Sequence, residues 1–410
     1  MMKEGSIGRP SQARANASRA LLLALVSLAL FIPRLGATRT LIYDESSYVS
    51  SARAYLNGTS DTNPEHPPLG KLLIAISMKA FGDNPIGWRM ASVLAGVAIV
   101  VGMFYLALRL LGDPSLAMLA AVLTLLNNFT FVMARVGMLE AFILMFAVVG
   151  VAAWLAAVRG IWPRATVALA GVMFGSAVAV KWSGLAVLGV VAAITVALWI
   201  RKHLNVGIGY ALLSLLLLPS LTYCLSFWPL CRSQHISWSI AEVVRRSEFI
   251  WHFHQHPIGN PGLNSLWYKW VFRTEPERAL NYLVGNWAVC WLGLAALLFC
   301  VVRLVRKPAL EEAVVVGLFA GSWLQWAVIA RPFEYYYYYS IAATFLCLAV
   351  PTALRHAPDY QLLGVRLSLI NVAAAAVLFL VFYPKMTALE APWDCAIVCI
   401  SCLMRIVLAV

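Results

Sequence analysis

The stretch from Asp44 to Lys71, DESSYVSSARAYLNGTSDTNPEHPPLGK, gathers Asp44, Glu45, Arg53, Asp61, Glu65, His66 and Lys71 in a chain that is only 12% charged. Carboxylates, an imidazole and cations in one polar loop suit transfer of a group onto a hydroxyl. Such a reaction needs a base beside the accepting oxygen and stabilisation of a departing phosphate. Asp44 and Glu45 are the candidate bases. Adjacent residues cannot put both carboxyls on one helical face, so one acts and the other orients or binds. A solvated acidic pair past a helix end is the plain alternative. In His66-Pro67-Pro68-Leu69-Gly70-Lys71, two prolines fix an extended segment that lacks backbone donors. Glycine then permits close approach, and Lys71 opens the next helical run. This turn either holds Glu65, His66 and Lys71 toward Asp44 or simply ends the loop.

Further along, Arg135 and Glu140 stand at the start of an apolar run in ARVGMLEAFILMF. Charge there is costly unless it faces a partner or a water-filled cavity. The two form a structural pair, or Arg135 binds a phosphate with its planar fork. Lys181, in Lys181-Trp182-Ser183-Gly184, lies between two apolar runs and either snorkels or holds an anion. Arg331-Pro332-Phe333-Glu334 leads into Tyr335 to Tyr339. Five tyrosines at a span entrance make an aromatic belt, or they stack on a sugar or line a prenyl groove, with Arg331 as a phosphate ligand. His252, His254 and His256 could share a strand face as metal ligands, but no nearby Cys or carboxylate completes a first shell. A hydrogen-bonding loop is the better reading, and no metal is expected.

The elements that must position these groups are membrane spans. The chain is 62% hydrophobic with mean hydropathy +0.80, and runs of about 20 apolar residues recur throughout, so it reads as an all-α polytopic membrane protein. The runs give about eleven transmembrane helices by the usual length rule: 19–36, 87–108, 115–133, 137–157, 165–180, 184–200, 206–228, 282–302, 312–330, 336–354 and 365–383. Ala20 to Ile32, with Lys3, Arg9, Arg14 and Arg19 before it, reads as an uncleaved first span in place of a signal peptide. A cytoplasmic N-terminus then puts Arg109, Arg159, Arg164, Arg201, Lys202, Arg303, Arg306, Lys307, Arg355 and Arg366 in cytoplasmic loops, as positive-inside bias expects. The same assignment puts Asp44–Lys71, Arg135 with Glu140, Lys181, the loop Arg232 to Arg278, and Arg331–Glu334 on the external face.

The external connections are 37–86 and 229–281. Segment 69–82 reads as a short interfacial or re-entrant helix. The longer loop, with Trp238, Trp251, Trp267, Tyr268 and Trp270, is predicted to form short helices at headgroup level. The net charge of +13 follows from the loop cations and does not point to nucleic acid. Of the eight cysteines, Cys395, Cys399 and Cys402 cluster near the end with no partnering His motif, and the others read as small core residues. Neither GxxxxGK[ST] nor a dinucleotide fingerprint is present, so an activated donor would come from the lipid phase.

Taken in order, these residues resemble the protein O-mannosyltransferase family (glycosyltransferase family 39), part of the wider GT-C group of membrane-embedded enzymes that use lipid-phosphate sugars. Asp44-Glu45 is similar to its first-loop acidic pair, and Glu65 with HPPLGK to its HPPLGK block. Ala134-Arg135 with Met138-Leu139-Glu140 looks like its (S/A)R…ML(D/E) segment, and Lys181 to Gly184 like its KWSG block. His256-Pro257 resembles an HP(Y) segment. Gly285-Asn286 through Trp291-Leu292-Gly293 resembles its GNP…WWLGL stretch. The resemblance runs from Asp44 to Ala388 and implies a GT-C fold over 19–392, between a cytoplasmic tail 1–18 and a divergent C-terminal tail 393–410.

It further implies transfer of mannose or a related sugar from a polyprenyl-phosphate donor to Ser/Thr hydroxyls of exported proteins, with the lipid-phosphate sugar as co-substrate and neither cofactor nor metal. By this carry-over Asp44 and Glu45 supply the base and acceptor contacts. Arg53, Lys71, Arg135, Lys181 and Arg331 are donor-phosphate contacts, Arg53 by its likeness to a loop arginine of related lipid-linked aminoarabinose transferases. Glu65, His66, Glu140, Trp182, His256 and Tyr335 are substrate contacts. Loop 229–281 is too short for the β-trefoil module of eukaryotic members, which favours a bacterial protein of the plasma (inner) membrane with its site on the periplasmic side. Ile258 stands where the family has tyrosine, and Asn260-Pro261-Gly262 replaces a tryptophan-rich run. Three other functions are weighed: a lipid or envelope-glycan acceptor, a flippase of a lipid-linked sugar, and a non-catalytic assembly subunit, which would tolerate alanine at Asp44 and Arg135. A flippase expects polar residues and broken helices at mid-membrane depth, whereas here polar groups crowd one rim.

Overall fold

The computed structural model describes residues 10–204, 206–255, 265–329, 333–356, 359–362 and 365–388. The apolar runs are helical. In chain order the elements are α1 (Pro10–Phe31), α2 (Glu45–Asn57), α3 (Leu69–Phe81), α4 (Pro85–Leu111), α5 (Pro114–Leu125), α6 (Asn128–Met133), α7 (Leu139–Val158), α8 (Pro163–Val180) and α9 (Gly184–Ile200). Next, α10 (Ile208–Leu212) runs through a π-helical turn, Leu213–Leu217, into α11 (Leu218–Ser233), and α12 (Ile240–Gln255) follows. A 3-10 turn at Trp267–Phe272 precedes α13 (Trp287–Arg306) and α14 (Leu310–Val328). A second, at Tyr336–Tyr339, leads into α15 (Ser340–Leu346) and α16 (Ala349–Leu354). Two short antiparallel strands, β1 (Gln361–Leu362) and β2 (Val365–Arg366), precede α17 (Leu367–Met386).

Among the described residues, seven helical stretches are long and apolar enough to cross a membrane: Ser11–Phe31, Pro85–Leu111, Leu139–Val158, Ile208–Ser233, Trp287–Arg306, Tyr336–Leu354 and Leu367–Met386. Pro114–Leu125, Arg164–Val180 and Gly184–Ile200 are shorter apolar helices. The expected count of eleven is thus not reproduced by length and composition, because expected spans are divided or short. The run 115–133 breaks at Asn127, whose side chain accepts from Phe129 N and donates to Ala343 O of α15. Helix starts carry their ordinary signals. Asn84 caps α4 through Ile86 N and Gly87 N, Asp113 caps α5 through Ser115 N and Leu116 N, and each cap is followed by proline.

α7 is apolar on all sides and is buried inside the bundle against α4 and α8. Helices α1, α11, α13 and α17 keep outward apolar residues such as Leu22, Leu221, Val305 and Leu380, as a lipid-facing ring would. The two ends of the bundle differ. At one end Arg159 and Arg355 both donate to Leu110 O at the close of α4 and both pair with Glu311, while Arg303 pairs with Glu312. The opposite end of α4 carries Arg89 and the polar loops described next.

Candidate active site

Glu45 organises this end. Its carboxylate is fully buried and has four partners: Arg89 Nε and Gly137 N on Oε1, Arg89 Nη2 and Ile42 N on Oε2, each at 2.8–2.9 Å. Arg89 in turn donates to the carbonyls of Leu35, Thr38 and Thr40. The α1–α2 connection, the start of α4 and the loop before α7 are therefore tied at one point. Gly137 must be glycine there: a Cβ would lie 2.8 Å from Trp88 O and 3.2 Å from Glu45 Oε1. Both oxygens of Glu45 are thus taken up by the protein, and the carboxylate braces the segments it joins.

Asp44 has different surroundings. It is half-buried at the N-terminus of α2 and makes no side-chain capping bond. Its Oδ2 accepts from the hydroxyl of Tyr337 at 2.6 Å. Its Oδ1 has no hydrogen-bond partner among the described residues. Burial holds the carboxyl above the usual aspartate range, against the opposing pull of Tyr337 and Lys181; Glu140 adds to the rise.

Lys181, at the α8–α9 junction, pairs with Glu140 Oε1 at 2.8 Å and lies 4.6 Å from the ring centre of Tyr338. Glu140 thus pairs with Lys181 and not with Arg135. Arg135 is buried, donates through Nη1 to the carbonyl of Phe31 at the end of α1, and stacks on Phe131; its Nε has no partner among the described residues. The tyrosines are not an aromatic belt. Tyr336 to Tyr339 are buried, Tyr338 stacking on Trp326 at 4.3 Å and Tyr335 on Tyr337 at 5.8 Å, while Tyr335 itself is half-buried. The short 3-10 turn winds them inward between α13, α14 and the Asp44 loop.

The HPPLGK block folds the loop in front of it. Lys71 is fully buried, and its three N–H groups go to Asp61 Oδ2 at 2.8 Å, to His66 O at 3.0 Å and to Asn63 O. Tyr55 also donates to Asp61 Oδ2. Lys71, expected beside a donor phosphate, is buried here with its three donors all taken by the loop. Burial pulls Lys71 below the usual lysine range while Asp61 pushes it up; burial raises Asp61, but Lys71, Tyr55 and Asn63 N outweigh that and hold it low. Asn63 Nδ2 donates to Glu65, whose carboxyl is raised by burial.

The remaining expected residues scatter around this rim. Arg53 is half-exposed and makes a bidentate pair with Asp83, which also accepts from Trp88 Nε1. His66 packs between Tyr48 and His254, ring centres 6.0 and 5.3 Å away. His252 and His254 lie on helix α12, so they do not alternate along a strand. Trp182 donates to Tyr223 OH, which is bonded to Ser247 of α12. Arg331, His256 and the tail from 393 onward lie outside the described residues. Sequence reasoning missed Arg89, for which a lone arginine entering an apolar helix was the available signal, and met Tyr337 only as one of five tyrosines in a run.

The family profile described as dolichyl-phosphate-mannose-protein mannosyltransferase matches residues 21–232. A polyprenol-phosphate-mannose–protein mannosyltransferase of Mycobacterium tuberculosis is 25% identical over 90% of this chain and 87% of its own length. Its namesake in Mycolicibacterium smegmatis is 27% identical, over 93% and 91%. Among solved structures, the S. cerevisiae protein O-mannosyltransferase Pmt1-Pmt2 complex bound to the sugar donor superimposes with TM-score 0.77 at 14% identity, over 92% of this chain and 91% of that chain. ArnT from Cupriavidus metallidurans bound to undecaprenyl phosphate does so with TM-score 0.61 at 14% identity, over 92% and 76%. At such identities these likenesses speak for the fold, which is GT-C.

Proposed function

The chain belongs to the dolichyl-phosphate-mannose-protein mannosyltransferase family, and we propose that it transfers mannose from a polyprenyl-phosphate donor to Ser/Thr hydroxyls of exported proteins, with Asp44 as the base. It is a glycosyltransferase. The observation that carries the assignment of Asp44 is its half-buried carboxylate, held on one oxygen by Tyr337 and within electrostatic range of Lys181. The accepting hydroxyl gives its proton to Oδ1 of Asp44. Its oxygen forms the new bond to the anomeric carbon, and the bond from that carbon to the phosphate oxygen breaks, with the electron pair leaving on the polyprenyl phosphate. A carboxyl raised above its usual range is a stronger base than an exposed one. Lys181 and Arg135, with Arg331, are the cations for the leaving phosphate. Arg135 brings a buried guanidinium whose Nε has no partner among the described residues. Glu45, Arg89 and Lys71 build the frame and contact no substrate; Arg53, paired with Asp83 at the surface, is peripheral.

The basic cluster of Arg159, Arg303 and Arg355 at the other end of the bundle supports a cytoplasmic end there and an external site. The test uses the protein in lipid with radiolabelled polyprenyl-phosphate mannose, a Ser/Thr-rich peptide and membrane lipids. Label is expected on the peptide, and none with Asp44→Asn. Label on lipid alone overturns the protein acceptor. Transfer only from a different prenyl-phosphate sugar overturns mannose. Full transfer by Asp44→Asn removes Asp44 from the mechanism.

A further inference from the structure

Tyr337 lies in the five-tyrosine run, where no role beside Asp44 was assigned to it, yet it holds the proposed base. We propose that Tyr337 is the positioning residue of Asp44, fixing Oδ2 so that Oδ1 is the oxygen presented to the accepting hydroxyl; this rests on the reading of Asp44 as base. An O–H···O contact of 2.6 Å is in the range of charge-assisted bonds to a carboxylate. α2 offers no competing hold, because Asp44 caps the helix without a side-chain bond.

The phenol itself cannot swing away. Tyr337 is 2% exposed, lies parallel to Tyr335, and meets Tyr43 and Tyr338 edge-on, with ring centres 5.6 and 4.7 Å away. Lys181 Nζ stands 5.4 Å from its ring centre. The hydroxyl is thus delivered to one point by packing on several sides. The tyrosine run, by this account, is the rigid back wall of the base.

The electrical surroundings of Asp44 are mixed. Tyr43, Tyr48, Glu65, Glu140, Lys181 and Tyr337 all act on it or feel its charge. Tyr337 and Lys181 favour the carboxylate; burial and Glu140 oppose it. Removing the Tyr337 hydroxyl therefore has a definite sign: Asp44 binds its proton more tightly, and the acid limb of the rate profile moves to higher pH. Loss of packing alone carries no such sign.

The experiment compares kcat and KM against pH for the full chain in lipid, with polyprenyl-phosphate mannose and a Ser/Thr-rich peptide. For Tyr337→Phe the acid limb is expected to rise by about one pH unit and kcat at neutral pH to fall about tenfold, with KM for both substrates nearly unchanged, as loss of one charge-assisted bond implies. Tyr339→Phe removes a buried hydroxyl from the same run, away from Asp44, and should move neither quantity. Replacing Tyr337 by a fluorinated tyrosine keeps the ring and strengthens the donor, so the limb should move down; this also serves if Tyr337→Phe does not fold. An unmoved limb in these variants, while Asp44→Asn is inactive, overturns the positioning role alone. Full activity of Asp44→Asn overturns the base and this inference with it.

Discussion

Arg89 grips Glu45 from both sides of its carboxylate, Nε to Oε1 and Nη2 to Oε2 at 2.8 Å each, in a place neither residue shares with water. Removing one partner of such a pair leaves a buried charge uncompensated, at a cost of about 3–5 kcal/mol. Arg89→Ala is expected to lower the melting temperature in detergent sharply, and Glu45→Gln to do so by a smaller but clear margin. Arg89→Lys should not rescue, since an ammonium cannot make the bidentate contact. If Glu45→Gln melts like the wild type yet loses activity, Glu45 is a catalytic group and not a brace.

The pair Lys71–Asp61 acts through the loop. Lys71→Met and Asp61→Asn are each expected to loosen the segment between α2 and α3, read as faster protease cleavage there. The double substitution should be no worse than the more severe single one, because partners in one network are not additive. A donor KM raised by Lys71→Met with no change in protease sensitivity would return Lys71 to the phosphate.

How legible was this site? Hydrophobic runs marked the helices, because the bilayer requires long apolar stretches and the pattern is local. The acidic pair, HPPLGK and KWSG also stood out as polar islands. What each residue touches was not local. Glu45 finds Arg89 across 44 residues, and Asp44 finds Tyr337 across 293. A five-tyrosine run reads as a lipid-facing belt until the chain winds it inward. Lys71 looked like a ligand because a lysine after a rigid turn could point anywhere; its partners lie ten residues or fewer behind it, in the loop it closes.

Asp44 should trade stability for function. Its carboxyl is raised in the folded protein, so the folded state binds that proton more tightly than the unfolded chain does. By linkage the ionised group is then destabilising: the penalty grows as pH rises from the unfolded aspartate value and is fully present above the folded one. With Asp44 as the proposed base, activity has the opposite sense: the carboxyl must be ionised, and activity is lost as pH falls through the raised value. Asp44→Asn is therefore expected to be inactive and to melt above the wild type at neutral pH, and to lose that advantage in acid. An inactive variant that melts lower at neutral pH would mean the carboxylate is held by more than Tyr337 and Lys181.

Arg135 offers a separate test of the donor side. Its guanidinium is buried beside the end of α1, donates to Phe31 O and leaves Nε without a partner among the described residues. A buried donor left unmade costs about 1–3 kcal/mol, and a phosphate oxygen arriving there would remove that cost. Binding only to the folded state raises the melting temperature with ligand concentration. Polyprenyl phosphate is therefore expected to raise the melting temperature of the wild type, and to do so far less for Arg135→Gln at the same concentration. Arg135→Lys should fall between, keeping charge but losing the planar fork. If Arg135→Gln shifts as much as the wild type, the phosphate is held elsewhere, and Arg135 serves to hold α1 against the loop before α7.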